Sequence, residues 1–386
     1  MGPFIMIVGI ILMIVIHEGG HFAAAKYFGM KATEAFFGFG PRLWSTTRGE
    51  TEYGVKAIPF GGYVRIIGMN PFEEVAPEEE GRTYRVAAFW KKSVVVLAGI
   101  ASHFVVAFLI LFLVGLAYGT VARDADDLVM LTTTVGDVSE TVPGEAEASP
   151  AALSGIQVDD VIVATDGVPV EDWEDFSEFT ADRPGETVIF GIDRQGEQLD
   201  ITTTLATVER VERNDMREAI LDADGEPVME TAGFFGVTPL AERDHHGIFG
   251  MVGVALGQMG EAIVQSVNGL WQMVIGFPKL VLAMFGGDDE ILETVRPVSP
   301  VGLVKLAGPL EGTLQLLALV NIFVGVLNFV PLYPLDGGHF AVALYEKITG
   351  RVPAVEKLMP VAAAVFVFLV SLGLMGLYFD TFGQVG

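Results

Sequence analysis

Two histidines four residues apart bracket an acid in the run His17-Glu18-Gly19-Gly20-His21. On a helix that spacing puts both imidazoles on one face, one turn apart, where they can reach one Zn²⁺. Glu18 stands beside that face, placed to take a proton from a water that the metal polarises. The five residues lie inside an apolar run from Pro3 to Ala25. A charge at the centre of a membrane-length helix costs roughly 2.5–3.5 kcal/mol, so ionisable groups there read as functional. The chain has no cysteine, which leaves His, Asp and Glu to hold a metal. Catalytic zinc takes three protein ligands and keeps a fourth position open. Asp336, in the stretch Asn328-Phe329-Val330-Pro331-Leu332-Tyr333-Pro334-Leu335-Asp336-Gly337-Gly338, is the membrane-embedded acid available as the third ligand. Its prolines and glycines break the helix, which membranes tolerate where backbone is buried or lines a cavity. Asn328, read as two turns before Asp336, is either a donor to a substrate carbonyl and the developing oxyanion or an interhelical hydrogen bond. His103 and His339 have no ligand spacing and read as packing residues.

The elements that must position these groups are mostly membrane-length. The 386 residues are 51% hydrophobic with a mean hydropathy of +0.49, which points to a membrane protein carrying one soluble domain. Residues 3–25 span a bilayer as a helix of about 34 Å. Lacking a basic n-region and carrying the histidine motif, they read as a span rather than a signal peptide. Gly19 and Gly20 are costly in a helix but let a second backbone approach closely. Val94–Gly119 is the second span, Thr313–Leu335 the third and Met359–Phe379 the fourth. Between the first two spans, Gly38-Phe39-Gly40-Pro41 reads as a turn. Tyr53–Met69 reads as a hairpin around Gly61-Gly62, either an ordinary surface hairpin or an edge that pairs with substrate. Residues 120–246 form a small, mostly β domain. Its strands are Asp160–Ala164, Thr187–Ile192 and Leu199–Leu205, its helix Trp173–Thr180, and its turns Asp166-Gly167 and Gln195-Gly196. In Gly247–Gly287 the polar residues Gln258, Glu261, Gln265, Asn268 and Gln272 form one stripe on an apolar helix, as in a helix lying in the membrane surface.

Charge gives the orientation. The net charge is −26, and Gly119–His246 alone holds 30 Asp/Glu against 7 Lys/Arg. Nucleic acid is thereby excluded as a partner. The basic connections, 26–93 and the one carrying Lys347, Arg351 and Lys357, belong on the cytoplasmic side, and the acidic domain outside. With 247–287 lying on the surface, the third span runs inward and brings Asp336 level with His17 and His21. Were 247–287 a single span, Asp336 would emerge on the wrong face.

HEGGH in the first span, NFVPLYPLDGG in a late one and a β-rich domain between resemble the site-2 proteases, in particular their RseP-like bacterial branch. The likeness extends to GFGPRLW at Gly38–Trp44, YGVKAIPFGGYVRI at Tyr53–Ile66, SPAALSGIQVDDVIVATDGVPV at Ser149–Val170 and RPVSPVGLVKLAG at Arg296–Gly308. ALYEKITG after the aspartate and a single PDZ-like stretch are similar to actinobacterial members. The resemblance implies a polytopic α-helical membrane protein of four transmembrane helices with a membrane-associated β-hairpin and an inserted, mostly β, PDZ-like extracytoplasmic domain. Residues 1–118 would hold the first two helices and the hairpin (32–69), and 125–246 the PDZ-like domain. A membrane-surface helix would occupy 247–290, and the last two transmembrane helices 300–386.

The resemblance further implies an intramembrane zinc metalloprotease of the cell membrane, its active site toward the cytoplasm, with His17, His21 and Asp336 on Zn²⁺ and Glu18 as general base. The hairpin, through Tyr53, Ile58, Gly61, Gly62, Tyr63 and Val64, would pair with an unwound strand of a single-span membrane protein such as an anti-sigma factor. The PDZ-like domain would bind peptide or filter substrates by size. The chain departs from the family's A-G-P-x-x-N-F pattern at Ile100 and His103. Two rivals stand beside this reading. One is a non-proteolytic PDZ scaffold, indifferent to Glu18→Gln. The other is a metal-cation transporter, which would more often show inverted repeats.

Overall fold

The computed structural model describes residues 1–70, 73–125, 128–211, 220–222, 227–286 and 297–382. Arg296 and 287–290, with 126–127, 212–219 and 223–226 of the expected β domain, lie outside them. The chain separates into two units, Met1–Tyr118 with His246–Gly386, and Gly119–His245.

The first unit opens with α1 (Gly2–Tyr27), which starts at a proline, carries Lys26 in its last turn and stops before Gly29 at φ +75°. Two long strands follow, β1 (Ala32–Arg48) and β2 (Thr51–Ile66). The hairpin turn falls at Gly49-Glu50, not at Gly61-Gly62 as the sequence suggested. Gly62 instead sits within β2, opposite Phe37. The pattern misled because the strands fold back on themselves. Glu34–Phe37 pairs with Gly62–Arg65 on one side and with Glu52–Val55 on the other, and the register slips between them. Gly38 and Gly40, where a turn was expected, have φ of +86° and +82° and lie among these slips. The segment Gly62–Ile66 is left as an edge. At the true turn, Glu50 accepts from Lys26 at 2.5 Å and from both arms of Arg82 at 2.8 Å. Arg82, then Lys26, pull its carboxyl down to about 2.

The second helix, α2 (Phe89–Tyr118), crosses α1 at two glycines. A Cβ at Gly20 would stand 2.6 Å from the Ala98 carbonyl, and one at Gly99 would stand 2.2 Å from His21 Nε2. Of the two α1 glycines expected to admit a neighbour, Gly20 does so, whereas Gly19 has nothing within 4 Å.

The second unit runs β3 (Thr120–Val121), β4 (Leu131–Val138), α3 (Pro150–Ser154), β5 (Val161–Thr165), β6 (Val168–Pro169), α4 (Trp173–Ala181), β7 (Thr187–Arg194), β8 (Glu197–Thr204), β9 (Ala206–Val211), β10 (Met229–Phe234), β11 (Val237–Ala241) and β12 (Arg243–Asp244). Its main sheet has the order β11-β4-β5-β7-β8, with β6 on β5. Two-residue turns with positive φ close two hairpins, Asp166-Gly167 (+48°, +81°) and Gln195-Gly196 (+56°, +91°). That geometry matches the right-handed strand twist. Alternation along β7 buries Val188, Phe190 and Ile192 against Val135, Ile162, Phe176 and Phe235. Ser149 caps α3, accepting from the Ala152 N–H.

The chain returns to the first unit through α5 (Ile248–Gly286), one continuous helix of 39 residues. Five helices among the described residues are long and apolar enough to cross a membrane, and Ile248–Leu282 is one of them. Then come α6 (Pro300–Leu306), α7 (Leu310–Phe329), α8 (Asp336–Thr349) and α9 (Val355–Phe382). The span expected over Thr313–Leu335 is α7, which stops at Phe329 because Pro331 and Pro334 cannot continue it. The stretch after Asp336, expected as a connection, is a helix of its own. Small residues let α5 pack closely: Met251 lies on Gly115 of α2, and Ala255 and Ala262 cluster with Ala107, Leu111, Ala318 and Ile322. Farther along, Phe277 meets the Phe368 ring at 4.9 Å and Leu280 packs with Met375 and Phe379. The end of α9 is tied to α6, where the Ser299 N–H donates to Asp380 at 2.8 Å and Lys305 reaches the Asp380 carbonyl. The start of α1 lies against the backbone of Ala307 and Gly308.

Candidate active site

One helix and one helix start build the site. His17 and His21 lie a turn apart on α1, and Asp336 opens α8. What turns Asp336 toward them is the tight loop before it. A Cβ at Gly337 would stand 2.4 Å from the carbonyl oxygens of Phe329 and Val330, so only glycine lets α8 start this close to the end of α7. The three donor atoms form a near-equilateral triangle: His17 Nε2 to His21 Nε2 3.3 Å, His21 Nε2 to Asp336 Oδ2 3.1 Å, and His17 Nε2 to Asp336 Oδ2 3.3 Å. Tetrahedral zinc with bonds of about 2.0–2.1 Å sets its ligands about 3.3–3.4 Å apart. The triangle therefore fits the ion. So does the chemistry of the donors. His21 Nδ1 donates to the Val95 carbonyl at 2.8 Å, so in the neutral ring Nε2 keeps its lone pair for a metal.

Glu18 faces the sheet. The Val64 N–H donates to its carboxylate, and a Cβ on Gly62 would stand 3.5 Å from Glu18 Cγ. A cavity of 380 Å³ opens there, lined by Glu18, Gly19, Tyr53, Gly62, Tyr63 and Val64 among others. Behind the edge segment a larger cavity of 750 Å³ has Tyr63–Ile66 as one wall and Tyr333, His339, Leu358 and Met359 opposite. Tyr333 Oη and His339 Nδ1 are 2.8 Å apart in that wall.

Of the residues singled out from sequence, the structure gathers His17, His21 and Asp336 into one triangle, with Glu18, Tyr53, Gly62, Tyr63 and Val64 around the adjoining cavity. Ile58 and Gly61 do not line that cavity. Ile58 pairs with Phe39 and is half-exposed, and Gly61 abuts the Phe39 ring. Asn328 is half-buried on the last turn of α7. Because the helix ends at Phe329, its supposed two-turn relation to Asp336 does not exist. Two further groups have contacts that the sequence did not show, since their partners are far away in the chain. His103 packs on His17 and reaches Asn321, 218 residues on. Buried Lys92 of α2 pairs with Glu346 of α8 at 2.6 Å, tying down the helix that begins with Asp336.

Comparison with known proteins agrees with this chemistry. The model of peptidase family M50 matches residues 5–372. The zinc metalloprotease Rip1 of Mycobacterium tuberculosis is 30% identical over 96% of this chain and 94% of its own. Rip1 of Mycolicibacterium smegmatis is 31% identical over 91% of this chain and 87% of its own. The crystal structure of the PDZ domain of an SdrC-like protein from Listeria innocua aligns over 30% of this chain and 99% of its own, at 18% identity and a TM-score of 0.18. Matched by the family model across nearly its whole length, the chain belongs to peptidase family M50, the site-2 proteases, and is a zinc metalloprotease that works within the membrane.

Proposed function

We propose that His17, His21 and Asp336 hold the zinc, that Glu18 is the general acid–base, and that the substrate is a single-span membrane protein, such as an anti-sigma factor, unwound along the edge Gly62–Ile66. The observation that carries this reading is the position of Glu18, between the donor triangle and a free strand edge. Zinc, when bound, supplies the Lewis acidity that lowers the pKa of water toward about 7. Glu18 accepts the proton of the attacking water and returns it to the amide nitrogen as the scissile C–N bond breaks. The Val64 N–H fixes the carboxylate for both transfers. Asn328 is the side-chain amide proposed to donate to the substrate carbonyl. A substrate helix hides its carbonyls in its own hydrogen bonds, so it has to be drawn out as a strand, and an unpaired edge is the element that does so.

In this reading four helices, α1, α2, α7 and α9, cross the membrane and α5 lies along its surface. Its two ends support that. Met251 rests on Gly115, near the end of α2, and Leu280 packs with Met375 and Phe379, near the end of α9, contacts that favour a helix beginning and ending at one face. The unit Gly119–His245 is then extracytoplasmic, a PDZ-like domain that binds peptide or limits substrate size, and the site lies toward the cytoplasm. The test is cleavage of a truncated single-span substrate in detergent by wild type and Glu18→Gln at equal zinc content. Wild type should cut, and Glu18→Gln should lose at least 100-fold in rate, in keeping with the worth of a general base. Equal cutting by both would remove Glu18 from the mechanism.

A further inference from the structure

The two histidines of the triangle are oriented by different means. His21 is held by its hydrogen bond to the Val95 carbonyl. His17 Nδ1 is buried, and its contact with the Gly99 backbone falls short of the geometry of a full hydrogen bond. Metal-bound imidazoles almost always have such a partner, and losing one typically costs 10–100-fold in metal affinity. With only that weak backbone contact, packing has to do most of the orienting of His17, and the packing is aromatic. The His21 ring meets it edge-on at 4.7 Å and 88°, and the His103 ring lies across its face at 4.8 Å and 33°.

His103 is fit for that task because its own ring is fixed from the far side. Asn321, fully buried on α7, donates through Nδ2 to the Leu317 carbonyl at 2.8 Å. That turns its Oδ1 toward His103, whose Nδ1 donates to it at 3.4 Å. One turn along α7, Gly325 sits against the His103 Cβ, where a methyl group would come within 3.1 Å. The α2–α7 crossing thus clamps a 2%-exposed histidine, and the clamp ends on the face of His17. An asparagine at 103, as in the family pattern, offers no ring face.

We propose that His103 is a positioning residue of the zinc site: locked by Asn321, its imidazole holds the His17 ring in the plane that aims Nε2 at the metal. The proposal rests on the ligand reading above, and one experiment on the purified full-length protein separates the two. Zinc affinity is measured by competition with a chelator, and ligand geometry by the visible spectrum of the Co²⁺-substituted protein. His103→Ala should bind zinc about 10–100-fold more weakly and show an altered cobalt band. His103→Phe restores a flat ring of similar size and should recover both to within about threefold of wild type. His17→Ala is the reference. If it binds zinc as wild type does, the ligand reading fails and takes this proposal with it. If His17→Ala loses zinc while folded His103→Ala keeps wild-type affinity and spectrum, the ligand reading stands and the proposal is overturned. Folded His103→Phe that behaves as His103→Ala also overturns it. Should His103→Ala not fold, Asn321→Leu carries the test, since it frees the His103 ring at nearly constant core volume. Weaker zinc binding with a shifted cobalt band supports the clamp, and wild-type values for both refute it.

Discussion

The molecule contains two β-sheets built to opposite plans. In the Gly119–His245 unit, alternation sends Val188, Phe190 and Ile192 into a core shared with Ile162 and Phe235, and two-residue turns fix the register. The sheet of Ala32–Ile66 has no such core across its outer half. Phe39, Leu43, Trp44 and Ile58 are exposed, its register slips repeatedly, and glycines with positive φ interrupt it. The first sheet satisfies its own side chains. The second keeps apolar surface for lipid or substrate and leaves an edge beside Glu18, which a soluble protein would blunt or cover. Register protects the one and availability serves the other, so the same type of substitution should have different consequences in each.

The largest effect is expected where the second sheet meets the acid. A Cβ at Gly62 would stand 3.1 Å from the Phe36 carbonyl and 3.3 Å from Ile14 Cγ2. Gly62→Val should push the edge away from α1, shift the Val64 N–H from Glu18, and lower kcat/KM by about 100-fold, as expected for a catalytic base misplaced by an ångström. Zinc content should stay at the wild-type level, because the atoms nearest a Cβ at Gly62 belong to Phe36, Ile14 and Glu18 and not to the three donor residues. A parallel loss of zinc would show that the sheet is structural to the metal site and would erase the contrast between the two plans.

The same logic predicts a pure stability effect in the first sheet. Phe190 is fully buried, with ring contacts to Phe176, Phe179 and Phe235. Phe190→Ala should destabilise its unit by about 3–5 kcal/mol, read as lost hydrogen-exchange protection in β5 and β7 of the full-length protein. Zinc binding should not change. Protection unchanged in β5 and β7 would mean that this core does not hold its sheet together.

Much of this was legible where the information is local. His17, Glu18 and His21 lie within one helical turn, so spacing alone places them on adjoining faces. Asp336 was singled out by donor chemistry and by the helix-breaking prolines and glycines around it. What failed was also local, but ambiguous. Gly61-Gly62 looks like a hairpin turn and Arg48-Gly49-Glu50-Thr51 does not, yet Arg48 pairs with Thr51, which puts the turn at Gly49-Glu50. The stretch carrying Lys347, Arg351 and Lys357 was expected as a connection, because the tie that holds its helix, Glu346 to Lys92, joins residues 254 apart. The stacking of His103 on His17 has no local signature either. Contacts of that range exist only once the fold does.

The smallest expected effect concerns a strongly held charge of the first sheet. Asp160 is buried at the end of β5, where Arg194 donates twice at 2.7 Å and the Gln157 N–H donates at 2.8 Å. The Arg194 guanidinium, and then the Gln157 amide, hold its carboxyl below the usual carboxylate range. A depressed folded-state pKa stabilises the fold above the unfolded value of about 3.9, and that stabilisation is lost as pH falls through the lower folded value. Asp160→Asn should therefore weaken hydrogen-exchange protection of β5 and β7 at neutral pH, though less than Phe190→Ala does. Once the intrinsic exchange rates are corrected for, its difference from wild type should hold from neutral pH down to about pH 5 and shrink at more acid values. No comparable dependence is expected in the Ala32–Ile66 sheet for this variant. A difference that persisted unchanged into strong acid would show that Asp160 acts through shape and hydrogen bonding alone, and that the charge in this well-ordered sheet is incidental.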